Sequence, residues 1–240
     1  LLGVTVLKLL LDAIASHGHT VVDLEATPAL LSRLPKARVD LVFNVSEGQH
    51  GRNREAHVPA LCEMLQIPYT GSDVATLALS LDKALAKKIV AQEGVPTPRS
   101  MLMTTGREPL PKGLRFPLIV KPVAEGSSKG VLAKSVVTTE KELRRFAREM
   151  AERYRQPALV EEYIKGREFT VGLLGHHDPE VLPPMEVVFT DASDPLPVYS
   201  FEHKLDWNDQ IRYEAPAKLP KAVARRMQDL ALRSFLALGC

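Results

Sequence analysis

Apolar stretches of helical period and of strand period alternate along the chain, and their order predicts an α/β protein. The opening LLGVTVLKLLLDAIA is interrupted by Lys8 and Asp12 and predicts an amphipathic helix that ends near Ser16, with Gly18 as its stop. His19 to Glu25 then predicts a short strand, so the chain reads as lacking a strand before its first helix. Asp40 to Val45, DLVFNV, is a continuous apolar run of the kind found in parallel strands covered on both faces. A helix from about Ala56 to Leu65 and a short strand over Gln66 to Thr70 follow. Asp73 is placed to cap one long helix with a buried stripe of Val74, Leu77, Ala78, Leu81, Leu85 and Ile89, ended by Gly94.

Val95-Pro96-Thr97-Pro98 is a stiff connector and a candidate hinge. Beyond it, Phe116 to Pro122 and Val131 to Val137 predict strands on either side of a glycine loop. Thr139 and Glu142 form a capping box for a helix running to about Tyr154. Strands are expected over Ala158 to Ile164, Glu168 to Gly175, Val181 to Phe189 and Tyr199 to Lys204. A last helix, Lys218 to Gly239, carries the stripe Val223, Met227, Leu230, Ala231 and Leu238. A helix in such a series should feed another strand, so the stop at Cys240 reads as a truncation.

The chemistry suggested by this pattern centres on Lys121 and the loop Glu125-Gly126-Ser127-Ser128-Lys129-Gly130. Lys121 ends an apolar strand. Gly126 and Gly130 give the backbone permissive joints, so successive N–H groups can turn inward around an anion, and Ser127 and Ser128 add hydroxyl donors. A point charge beside fixed donors suits a polyphosphate; a hairpin loop with a solvated lysine is the plainer alternative. Gly126 to Gly130 also fits G-x-S-x-G, but the serine-hydrolase elbow requires a helix directly after the serine, and a strand is expected here. The Walker pattern and G-x-G-x-x-G do not occur. Lys83, Lys87 and Lys88 lie off or at the edge of the long helix's stripe, where lysines are ordinarily solvated. Glu161, Glu162 and Glu168 cluster about one turn, as acceptors for a ribose or an adenine amine or as solvent-facing strand residues.

Composition narrows the field. With 45% hydrophobic and 25% charged residues the chain reads as an ordinary soluble globular protein, and a net charge of +2 predicts no nucleic-acid partner. Two cysteines far apart, Cys62 and Cys240, argue against a disulfide framework and for a reducing compartment, the cytoplasm by default. His17, His19, His176 and His177 lie in turn-like stretches and are expected at the surface. The opening apolar segment is too short to span a bilayer, so no membrane is expected.

IPYTGSD, Leu81-Asp82-Lys83, GVPTP, PLIVKP, EGSSKG, LVEEYIKGREFTVGLLG and Phe201-Glu202-His203-Lys204 occur in that order over most of the chain. Together they resemble the ATP-grasp ligases, and within them the D-alanine:D-alanine ligase branch. The resemblance implies an N-terminal Rossmann-like unit (1–82), a central α+β nucleotide lobe (83–168) and an incomplete C-terminal α+β lobe (169–240). It implies ATP and Mg2+ as cofactors, small amino acids or short peptides as substrates, and amide-bond formation through an acyl phosphate; it leaves a homodimer open. By the same resemblance, Lys83 and Lys121 contact ATP phosphates, and Glu125, Ser127 and Ser128 belong to the loop closing over them. Glu161, Glu162, Tyr163 and Ile164 form the adenine linker, Glu168 holds the ribose, and Lys204 reaches the transferred phosphate.

The departures fall mainly on the substrate side. Glu47-Gly48 stands where the family has histidine-glycine, and Gly51-Arg52-Asn53-Arg54-Glu55 replaces its acidic turn. Arg52 or Arg54 is therefore a candidate for a substrate carboxylate and Glu47 for an ammonium, with an acyl donor other than D-alanine. Leu205 replaces a frequent tyrosine, and the family's metal ligands would fall beyond Cys240. A nucleotide-binding protein without turnover, regulatory or assembly-related, is the alternative.

Overall fold

The computed structural model describes residues 4–191, 194–205 and 210–240, and the chain divides into two compact units, 1–78 and 79–240. The expected start of the first helix at Leu1 and the side chain of Leu205 lie outside what is described.

In the first unit, α1 (Val4–Ser16) ends as expected before Gly18, whose φ is 87°. Residues 19–25 form no strand. DLVFNV contributes only one parallel bridge, Val42 to Tyr69. Leu41, Phe43 and Val45 on the opposite side of that segment are 52%, 49% and 43% exposed, so the run is covered on one face and not on two. The core gathers Leu30 and Leu34 of α2 (Leu30–Ala37) with Val58 and Cys62 of α3 (His57–Leu65). A 3₁₀ turn, Arg54–Ala56, leads into α3.

The long helix expected from Asp73 to Gly94 is two helices, α4 (Val74–Leu81) and α5 (Lys83–Gln92). Asp73 does cap the first, accepting the Thr76 N–H at 2.8 Å. Asp82 interrupts the run in an extended conformation, and its carboxylate accepts the N–H groups of Ala84 and Leu85 as the cap of α5. The break shifts the phase of the buried stripe, so Val90 is buried in α5 and Ile89 only partly.

The second unit is built on a sheet of β1 (Ser100–Met103), β2 (Leu118–Pro122), β3 (Val136–Val137) and β4 (Ala158–Glu162) in the order β1-β4-β2-β3, all antiparallel. α6 (Glu140–Tyr154) covers one face. Its capping box at Thr139 and Glu142 is formed as the sequence predicts. Leu143, Phe146, Ala147 and Met150 meet Met103, Leu118, Val120, Val137, Ala158 and Val160 in the main core. Each large side chain buried there contributes about 1.5–3 kcal/mol.

Expected strand Val131–Val137 is realised only at its last two residues. Val131 N–H bonds Ser128 O at 2.9 Å and Leu132 N–H bonds Ser135 Oγ at 2.9 Å, so local turns satisfy this backbone instead of a ladder. β4 stops at Glu162 because its neighbours begin just after Pro98 and Pro117. A second sheet, β5-β8-β9, joins β5 (Glu168–Thr170), β8 (Met185–Phe189) and β9 (Ile211–Glu214), and β6 (Leu173–Leu174) pairs with β7 (Glu180–Val181). Gly172 and the pair Pro183-Pro184 divide what the sequence presents as two longer strands. Tyr199 to Lys204 is not a strand. Ser200 Oγ accepts the His203 N–H and starts the short helix α7 (Phe201–Leu205). α8 (Lys221–Leu238) packs on α5, β6 and β7 with no side chain fully buried, and Val223 of its expected stripe is 41% exposed.

Candidate functional site

The register of the four-stranded sheet decides which side chains share a face. Lys121 lies opposite Leu159, so Glu161, two residues further along β4, projects from the same face as Lys121. Glu161 is 4% exposed. One carboxylate oxygen pairs with Lys121 Nζ, and the other pairs with Lys87 Nζ at 2.6 Å. Burial alone would push this carboxyl upward; the charge and hydrogen bond of Lys121, with those of Lys87, prevail and hold it below the ordinary glutamate range. Lys87 also donates to Pro98 O at 2.7 Å. Sequence reasoning left Lys87 among the solvated lysines. Its spacing of four residues from Lys83, which puts both on one face of a helix, is the signal that identifies it.

Lys83 is the first residue of α5 because Asp82 caps that helix, and its Nζ donates to the carbonyl of Glu125 in the glycine loop. Gln156, another residue the sequence reading passed over, holds the loop from the opposite flank. Its Oε1 accepts the Ala124 N–H at 2.6 Å and its Nε2 donates to Glu125 Oε1 at 2.8 Å. The left-handed backbone expected at Gly126 and Gly130 lies at Ser127 (φ 51°), Ser128 (φ 56°) and Gly130 (φ 80°). Gly130 is required twice over, since a Cβ there would also sit 2.6 Å from the Pro122 ring. No α-helix follows Ser128, which removes the hydrolase elbow. Ser128 Oγ donates to Tyr199 O at 3.4 Å, and the Phe201 N–H bonds Val131 O at 3.1 Å, so the loop is tied to the segment leading into α7.

Beyond β4 the expected linker residues separate. Glu162 accepts the Arg99 N–H at 3.3 Å, Tyr163 donates its hydroxyl to Pro197 O at 2.6 Å, and Ile164 is 67% exposed. Glu168 opens β5. Desolvation raises its carboxyl above the ordinary range, against the charge of Lys204, a hydrogen bond from the Tyr199 backbone and the charges of Lys121 and His203. Lys121 and Lys204, from the two sheets, thus act on the same carboxylate. Lys204 Nζ stands 5.0 Å from the centre of the Tyr199 ring.

Glu47, Arg52 and Arg54 belong to the first unit. Arg54 is 8% exposed within its 3₁₀ turn, Arg52 is exposed and Glu47 half-buried. Gly48 takes a φ of 65°, and a Cβ there would collide with the Arg54 carbonyl, so the loop is closely folded on itself. Asn44 Oδ1 accepts from Ser46 Oγ at 2.7 Å, and the Asn44 N–H bonds Thr70 Oγ1 at 3.0 Å, which fixes where the loop begins. Among the described residues, no three His, Cys, Asp or Glu side chains lie close enough to hold a metal ion, Among them, too, no helix is long and apolar enough to cross a membrane.

The family described as D-ala D-ala ligase C-terminus matches residues 91–240. An uncharacterized protein, y4sG, of Sinorhizobium fredii is 36% identical over 236 residues, covering 95% of this chain and 68% of its own. A D-alanine–D-alanine ligase of Pelotomaculum thermopropionicum is 33% identical over 242 residues, with 95% and 71% covered. Among solved structures, the D-alanine–D-alanine ligase of Bacillus anthracis complexed with ATP superposes with a TM-score of 0.66 at 25% identity, over 88% of this chain and 63% of that one. The chain thus spans less than two thirds of that solved chain. On the matched motifs, the matched architecture and these identities, the chain belongs to the D-alanine–D-alanine ligase family of ATP-grasp proteins.

Proposed function

We propose that this chain is an ATP-dependent carboxylate–amine ligase, forming an amide bond through an acyl phosphate as expected for a D-alanine:D-alanine ligase-like protein. The observation that carries the reading is the arrangement of Lys121 and Lys83 on either side of a loop with consecutive left-handed serines. The fit to a nucleoside triphosphate rests on the donor set: fixed ammonium groups, two serine hydroxyls and loop N–H groups, with no acid but Glu125 in the loop itself. ATP supplies the phosphoryl group that activates the substrate carboxylate.

The chain's own residues position and neutralise. Lys121 and Lys83 bind phosphate oxygens, and Ser127 and Ser128 close over them. Lys204 approaches from the second sheet toward the phosphate being transferred, and Glu168 accepts from the ribose hydroxyls. Glu161 to Ile164 line the adenine, with Glu162 and Ile164 contributing backbone groups. The four-stranded sheet is then the nucleotide lobe, and the second sheet belongs to the C-terminal lobe. Phosphoryl transfer needs little more from a protein than placement and charge, which suits this set.

The reading extends to the first unit. Arg52, exposed beside Glu47, is the candidate contact for an acyl donor's carboxylate, with Glu47 for its ammonium; Arg54 is buried and shapes the loop. ADP release by the purified chain, measured across D- and L-amino acids and dipeptides, tests both levels. Amino-acid-dependent release supports ligase activity, and its absence with ATP bound would favour a non-catalytic nucleotide binder. Strict dependence on D-alanine would overturn the altered donor specificity.

A further inference from the structure

Lys87 is not explained by phosphate binding. It sits one turn after Lys83 on α5, its side chain is 16% exposed, and its ammonium is shared between Glu161 and the carbonyl of Pro98. Both its partners are protein groups, and both lie on the same unit as Lys121. Glu161 therefore has one cation on each carboxylate oxygen. A buried carboxylate needs one such partner to be tolerated, and two leave the cluster with a net positive charge.

The surplus acquires a purpose once Lys121 has a second anion to serve. If Glu161 depended on Lys121 alone, drawing that ammonium toward a phosphate would leave a desolvated carboxylate uncompensated, and Glu161 would compete with the ligand. With Lys87 held on the rigid second turn of α5 and anchored by Pro98, Glu161 keeps a partner whichever way Lys121 turns. We propose that Lys87 is a positioning residue, the standing counter-ion of Glu161, which frees Lys121 to move from the carboxylate to an incoming phosphate. This rests on the reading of Lys121 as a phosphate ligand.

The test is ATP affinity by titration calorimetry on the full chain, for the wild type, Lys87→Met, Lys87→Arg, Glu161→Gln and the double variant Lys87→Met/Glu161→Gln. Lys87→Met should weaken ATP binding about tenfold or more, the scale of one charge-assisted hydrogen bond, and Lys87→Arg should stay near the wild type. In the double variant the carboxylate that needed a counter-ion is gone, so it should bind as Glu161→Gln alone does. A merely structural lysine would give the opposite pattern, with losses that add. If Lys87→Met does not fold, Glu161→Gln against the double variant decides: equal affinity supports the proposal and a tenfold difference overturns it. A wild type that binds ATP beside an equally tight Lys87→Met would overturn the role of Lys87 only. A wild type that does not bind would overturn the phosphate reading and this proposal with it.

Discussion

Val120 and Lys121 are neighbours in β2, and Val160 and Glu161 are neighbours in β4, yet their side chains live in opposite surroundings. Val120 and Val160 face α6 in a fully apolar core. Lys121 and Glu161 face the other way, toward α5 and the glycine loop, in an ion-paired cluster. The strand period of two makes both from one sequence. The difference teaches that the dry face supplies rigidity and the charged face supplies chemistry, and that the first fixes the coordinates of the second.

The largest effect should come from breaking the dry face. Leu143 is fully buried against the sheet, and Leu143→Ala is expected to cost about 2–5 kcal/mol of stability in urea unfolding. Nucleotide affinity of the folded fraction should hardly change; a cost below about 1 kcal/mol would mean that the α6 face is not the packed one. On the charged face the effects invert. Lys121→Ala should lower ligase turnover about 10²–10³-fold, the scale for losing a charge stabiliser, with the circular dichroism spectrum intact. Near-full turnover would remove Lys121 from the site.

A subtler contrast uses the two helix caps, Asp82 on α5 and Thr139 on α6. Alanine at either should cost about 1 kcal/mol. Only Asp82→Ala should also weaken ATP binding, because only that cap sets the position of Lys83; equal affinities for the two variants would undo the link between the helix break and the site. The smallest effect is one of slope. Glu161 is held below the ordinary carboxylate range when folded, so in the interval beneath about pH 4.3 the unfolded chain binds more protons than the folded one. Its contribution to stability is complete above that interval and is lost as pH falls through the folded value. Glu161→Gln should therefore show a flatter fall of stability with acid than the wild type, and parallel curves would deny the linkage.

Local signals carried much of this fold, and non-local ones carried the rest. The capping box of α6, the apolar strand ending in Lys121 and the turn at Gly18 are each written within a few residues. The break at Asp82 is hidden because Leu81 and Leu85 continue the helical spacing across it, and an aspartate on a helix flank looks the same whether it is solvated or capping. Glu161 reads from sequence as one of three acids near a ligand. Its pairing with two lysines follows only from the register of β2 against β4 and from the packing of α5, neither of which is local. Gln156 carries no motif at all; it matters because the end of α6 and the start of β4 bring it beside Glu125. Tyr199 to Lys204 has a strand-like composition that a single serine hydroxyl redirects into a helical turn.

The consecutive serines of the glycine loop set two demands against each other. A backbone with φ near 50° is a conformation that glycine adopts freely and serine does not. Glycine at position 127 or 128 would ease the chain there, but it would delete a hydroxyl from the rim of the concavity. The chain keeps a tauter bend in exchange for a richer set of donors, which makes this short arc a place where a stabilising substitution should be found easily and should blunt the protein's hold on anions.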